Sequence, residues 1–96
     1  MRHNAKVDRN QEEIVKALRK VGATVQSLAA VGRGVPDILV GFRRNTYLLE
    51  IKDYQKPPSA RELTPDQVDW HMAWIGGPCV VVTTIGEALA AIGAIE

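Results

Sequence analysis

Gly34-Val35-Pro36-Asp37-Ile38-Leu39-Val40-Gly41-Phe42-Arg43-Arg44-Asn45-Thr46-Tyr47-Leu48-Leu49-Glu50-Ile51-Lys52 is the stretch that decides the fold. Two runs rich in β-formers flank a polar turn at Arg43-Arg44-Asn45, which predicts an antiparallel hairpin of residues 37–42 and 46–52. Side chains two apart on a strand share a face. Leu48, Glu50 and Lys52 therefore share one face, while Tyr47, Leu49 and Ile51 take the other. If residues 43–46 make the turn, Asp37 lies opposite Glu50 or Lys52, or between them. Directly opposite Glu50, it shares the face of Glu50.

Two carboxylates so placed repel each other unless a positive charge sits between them. Lys52 supplies part of that charge, and a magnesium or manganese ion with oxygen ligands supplies more. Such an ion polarises a phosphoryl oxygen and lowers the pKa of a water, while a lysine beside it steadies that water or the developing negative charge. The chemistry indicated is metal-dependent cleavage of a phosphodiester. A Glu-x-Lys on a strand also reads as an exposed salt bridge. The Pro-Asp on the neighbouring strand, after the glycine-rich basic loop Val31-Gly32-Arg33-Gly34, favours the site.

Outward from the hairpin, Ile14, Val15, Leu18 and Val21 recur at helical spacing and predict a helix from about Asn10, stopped by Gly22. Residues 23–28 read as a first strand. Residues 54–62 form a polar, proline-bearing loop. Thr64-Pro65-Asp66-Gln67 is a capping box that starts a helix running to about Ile75. Residues 79–83 read as a fourth strand. Thr84-Ile85-Gly86-Glu87 is a second capping box, opening a helix to about Ile95. The order is αβββαβα. A right-handed crossover makes the last two strands parallel. The fold class is α/β, with one mixed sheet flanked by helices.

At 96 residues the chain predicts one domain, residues 10–96, after a flexible polar arm of residues 1–9. The net charge of +1 gives no global signature for nucleic acid, though a local positive patch suffices for binding. Cys79 is the only cysteine, so no intrachain disulfide forms, and its apolar run suits a buried strand thiol. With His3 and His71 the only histidines, ligands are too few for a structural zinc site. The first residues show no apolar signal segment, and no run reaches about 18 apolar residues, which points to the cytoplasm.

Beyond residue 9 nearly the whole chain resembles the VRR-NUC family of the PD-(D/E)xK nuclease superfamily, in its small stand-alone phage and bacterial form. The matching stretches are Asn10-Gln11-Glu12-Glu13-Ile14-Val15, Gly34-Val35-Pro36-Asp37-Ile38-Leu39-Val40-Gly41, Leu49-Glu50-Ile51-Lys52 and Leu63-Thr64-Pro65-Asp66-Gln67-Val68-Asp69-Trp70-His71. The resemblance implies a restriction-endonuclease-like αβββαβ core and a magnesium- or manganese-dependent endodeoxyribonuclease. It points to branched DNA such as four-way (Holliday) junctions or flaps, in the cytoplasm of a bacterium or phage-infected host. Symmetric cutting of two strands by a chain with one site implies a homodimer. Asp37 and Glu50 would be metal ligands with the Ile51 carbonyl, and Lys52 the catalytic lysine. The family's first-helix acid falls on Gln11, a departure; Glu13 is the next candidate, ahead of Glu12. Gln67 matches a family glutamine, which makes it a candidate DNA contact, and it also serves as the helix N3 residue.

The remaining candidates are DNA contacts. Arg33 is placed to hold a phosphate. Arg43, Arg44, Lys56 and Arg61 are open to a DNA backbone or to solvent, and Lys16, Arg19 and Lys20 form a solvated helix face. His71 lies one turn beyond Gln67. Trp70 and Trp74 suit the core or a subunit interface rather than base stacking. Two rival readings stand beside the enzyme: an inactive nuclease-fold module that binds DNA equally in chelator and magnesium, and a small α/β interaction domain that binds neither metal nor DNA.

Overall fold

Ile14 and Leu18 bury one stripe of a first helix, α1 (Arg9–Lys20), in the computed structural model, which describes residues 9–95. The arm expected at residues 1–9 lies outside the described residues, except that Arg9 is the first residue of α1. Then follow β1 (Thr24–Ser27), β2 (Ile38–Phe42), β3 (Asn45–Ile51), α2 (Pro65–Ala73), β4 (Cys79–Val82) and α3 (Ile85–Ala91). The expected order is present. The loop before α2 contains a short 3-10 turn, Pro58–Arg61, that the sequence reading did not include.

The four strands form one sheet in the order β1-β2-β3-β4. The β1–β2 and β2–β3 pairs are antiparallel, and β3–β4 is parallel, as the crossover requires. Phe42 pairs with Asn45, so the hairpin turn is Arg43-Arg44, both with positive φ (49° and 69°). A two-residue turn of that hand matches the twist of the strands it joins, but glycine or asparagine fits it with less strain. Ile38 pairs with Leu49, so the next pair in that register is Asp37 with Glu50.

The core lies between the sheet and α1 with α3. Ile14, Leu18, Val25, Ile38, Val40, Leu49, Ile51, Val82, Ala88 and Ile92 pack there. Glu50 and Lys52, alternating with Leu49 and Ile51, are carried to the other face, which α2 covers. α2 buries no residue. That corrects the core assignment for its tryptophans: Trp70 is half-buried, Trp74 is 41% exposed, and their rings stack on each other 5.1 Å apart. α3 ends at Ala91 instead of near Ile95, because Gly93 turns the chain with φ 77°. Its capping box is half formed. Thr84 caps the Glu87 amide, but the Glu87 carboxylate accepts from Thr83. Among the described residues no helix is long and apolar enough to cross a membrane.

α2 is positioned instead by a close backbone approach. Gly34, at φ 83°, lies so near the first turn of α2 that a Cβ there would meet the Asp66 carbonyl carbon at 2.5 Å and the Gln67 nitrogen at 2.9 Å. Gly32, at φ 72°, has open space around it. Gly32→Ala should therefore cost only the left-handed backbone penalty, about 1–2 kcal/mol. Gly34→Ala should cost clearly more, because the loop and α2 must separate. Urea denaturation of the two variants checks this, with the larger loss at Gly34.

Candidate active site

Asp37 immediately precedes β2 and turns its carboxylate toward β3. Its Oδ2 accepts from the Ile51 amide at 2.7 Å, a short charge-assisted bond that fixes the side chain against Glu50-Ile51-Lys52. In an extended strand the N–H and C=O of one residue lie on the same edge. The Ile51 carbonyl is thus on the Asp37 edge of β3.

Glu50 and Lys52 are 2% and 9% exposed, which excludes the solvated salt bridge of a surface strand. Lys52 Nζ stands 3.9 Å from Glu50 Oε2. Gln67 on α2 bridges the two. Its Oε1 accepts from Lys52 Nζ at 2.8 Å, and its Nε2 donates to Glu50 Oε2 at 3.1 Å. The same Oε1 accepts from the Thr64 amide at 2.9 Å, while Thr64 Oγ1 accepts from the Gln67 amide. The capping box and the charged pair therefore share one side chain. Gln67, read as a DNA contact or as a cap, has both ends of its amide turned inward.

The first turn of α1 closes the same end of the sheet. Asn10, 6% exposed, donates from Nδ2 to the carbonyls of Lys52 (3.0 Å) and Thr83 (3.2 Å). Gln11 beside it is also buried, in line with Ile14 and Leu18. Gln11 shares a cleft of about 540 Å³ with Glu12, Val15, Lys16, Arg19 and Ser27. Ser27 pairs with Ile38, and Leu28 donates to the Asp37 carbonyl, so the Ser27 end of this cleft lies beside Asp37. Glu12 and Glu13 are exposed, and Glu13 lines clefts with Tyr54 and Ile85 on the α3 side. Asn10 was missed in the sequence. The signal available was two amide residues where the helical repeat calls for apolar ones.

The basic candidates separate. Arg33 is exposed in the loop before Asp37, at φ 58° between two glycines that also have positive φ. Arg43 is tied down, donating to the Gly93 carbonyl at 3.3 Å with its guanidinium 4.7 Å over the Phe42 ring. Arg44 and Lys56 are exposed, the latter with its amide on the Asp53 carbonyl.

Asp37, Glu50 and the Ile51 carbonyl, on adjacent strands, are oxygen donors of the kind a hard cation such as magnesium or manganese takes. Among the described residues no three His, Cys, Asp or Glu side chains cluster, so water would complete the coordination.

A solved structure described as a VRR_NUC domain superposes with a TM-score of 0.66 at 26% identity, over 92% of this chain and 95% of that one. The chain has the fold of that VRR_NUC domain, which supports a place in the VRR-NUC family. It is a nuclease-fold domain, with the α/β architecture expected from the hairpin and its flanking helices. No family model and no curated protein matches the sequence.

Beside this cluster His71 and Cys79 meet across α2 and β4, with Cys79 half-buried instead of fully enclosed. Burial, and then the Lys52 charge, lowers the His71 pKa from 6.5. Burial, and then Glu50, raises that of the Cys79 thiol. The ring is therefore neutral at pH 7. Proton NMR should place the His71 midpoint below 6.5. Lys52→Ala should move it upward without full recovery, because burial is the larger cause. A midpoint at or above the ordinary value would contradict this placement of His71.

Proposed function

We propose that this VRR-NUC domain is a divalent-metal-dependent endodeoxyribonuclease acting on branched DNA, with Asp37, Glu50 and Lys52 at its catalytic centre. The observation that carries the reading is the burial of Glu50 and Lys52 together, held by Gln67 at the end of the sheet where Asp37 is pinned. Removing two charges from water is costly, so this is an uneconomical way to make a surface strand and a reasonable way to make a preorganised site.

Asp37, Glu50 and the Ile51 carbonyl would hold the ion, with the Gln11 amide completing the set or orienting a water. When bound, magnesium or manganese would polarise a phosphoryl oxygen and lower the pKa of an attacking water. Lys52, with Nζ held by Gln67, donates to that water or to the anionic oxygens as charge develops. Gln67 orients both Glu50 and Lys52. Arg33 supplies a phosphate contact in front of Asp37, and Arg44 and Lys56 are exposed cations for the DNA backbone. The sequence carries no base-reading module, and contacts of this kind read backbone shape.

Cutting two strands symmetrically takes two such sites, hence a two-fold dimer. Met72 and Ile75 on and just beyond α2, 80% and 97% exposed, supply apolar surface for a second copy. Sedimentation should find a dimer that Met72→Glu converts to monomer; a wild-type monomer with and without DNA contradicts it.

The amide at Gln11, where the family has an acid, favours one second reading, a module that binds branched DNA without cutting. Cleavage of labelled four-way junction, flap and linear duplex separates the two. The nuclease cuts in magnesium or manganese and not in chelator, and Lys52→Ala loses on the order of 10²-fold or more. Asp37→Asn should lose activity similarly. Gln67→Ala should lose about 10- to 100-fold by releasing both neighbours, whereas Thr64→Ala should cost about 1 kcal/mol of stability and little activity. Cutting that survives both Lys52→Ala and Asp37→Asn would overturn the assignment. Equal binding in chelator and magnesium without cutting would establish the second reading.

A further inference from the structure

His71 and Cys79 stand outside the set just described, yet on the face of the sheet that carries Glu50 and Lys52. His71 is one turn beyond Gln67 on α2, and Cys79 opens β4 opposite Leu48. Cys79 Sγ lies 3.7 Å from His71 Nδ1 and 3.9 Å from Nε2. Tetrahedral zinc, with bonds of about 2.3 Å to sulfur and 2.0–2.1 Å to nitrogen, separates those two ligand atoms by about 3.6 Å. We propose that His71 and Cys79 form a site for a thiophilic divalent cation of the zinc or cadmium class, distinct from the Asp37–Glu50 centre and able to inhibit it.

The two side chains come from a helix and a strand whose approach is fixed on both sides: Gln67 holds α2 to Glu50 and Lys52, and Trp70 meets the His71 ring edge-on at 6.3 Å. Sulfur is nearly equidistant from both ring nitrogens, so neither lone pair points straight at it and the ring must rotate to bring one nitrogen onto an ion shared with the sulfur. The neutral histidine is ready to bind. Cys79 gives up its thiol proton to solvent as the metal–sulfur bond forms, and no electron is transferred. No third His, Cys, Asp or Glu joins the pair among the described residues, so water fills the remaining positions. Such a site is open and exchangeable, unlike a closed structural zinc site. Lys52 and Glu50 are the charged groups that act on the pair. A cation bound there competes with Lys52 for Glu50 and weakens the second cation needed for cleavage.

Cobalt(II) titration of the whole chain tests the site without reference to nuclease activity. The expected result is a thiolate-to-cobalt charge-transfer band at one equivalent, displaced by zinc. It should be absent in Cys79→Ser and Cys79→Ala, tenfold or more weaker in His71→Gln, and retained in Asp37→Asn. Circular dichroism of each variant confirms folding. In magnesium-driven cleavage, zinc should inhibit the wild type at concentrations that leave Cys79→Ser active. No cobalt band in the wild type would overturn the proposal. So would a band of unchanged affinity in folded His71→Gln, or equal zinc inhibition of wild type and Cys79→Ser. If the chain proves not to cleave DNA, the cobalt band alone decides the site.

Discussion

A carboxylate that is 2% exposed must be held by hydrogen bonds and opposite charge, and Glu50 sets that requirement for the whole sheet face. Lys52 answers with charge and Gln67 with an amide proton. Gln67 reaches Glu50 only because it is the third residue of α2, and α2 starts where it does because Thr64 caps it. The helix start lies over the sheet only because Gly34 lets two backbones touch. One buried charge thus ties together a loop glycine, a capping box and a strand pair.

The two faces of the sheet are stabilised differently. α1 and α3 sit on a conventional apolar core, with Ile14, Leu18, Ile38 and Ile92 nearly inaccessible. α2 buries nothing fully and is pinned by Gln67, by the Gly34 approach and by the Trp74 indole, whose Nε1 donates to the Gly77 carbonyl at 2.8 Å. A segment with few buried apolar contacts opens at lower free energy than the core. The helix that orients Lys52 is therefore the element most able to yield, while Asp37 and Glu50 stay on the rigid side.

Much of this was legible in the sequence, for identifiable reasons. The hairpin followed from two runs of β-formers around the polar turn Arg43-Arg44-Asn45, and its observed register puts Asp37 opposite Glu50, one of the placements the turn allowed. Thr64-Pro65-Asp66-Gln67 signalled α2 because capping is local chemistry. What escaped was non-local. Nothing in the spacing showed that Gln67 would serve the cap and the charged pair at once, or that Asn10 would reach the carbonyls of Lys52 and Thr83. The tryptophans misled because aromatic residues at helical spacing normally face a core. The pairing of His71 with Cys79 depends on how a helix crosses a strand, which no short window of sequence contains.

The first-helix position stands apart from the rest of the candidate site. Gln11 is buried in the cleft that Ser27 also lines, whereas Glu12 and Glu13 face solvent, so among the described residues α1 turns no acid inward beside Asp37 and Glu50. Whether Asp37 and Glu50 suffice to hold a divalent ion is the claim on which the catalytic account rests. Titration of manganese(II) into the protein, followed by the loss of the free-ion electron paramagnetic resonance signal, measures it directly. The account predicts one saturable site per chain, displaced by magnesium and weakened tenfold or more in Asp37→Asn and Glu50→Gln. Manganese binding that is absent in the wild type, or unchanged in both variants, would contradict it.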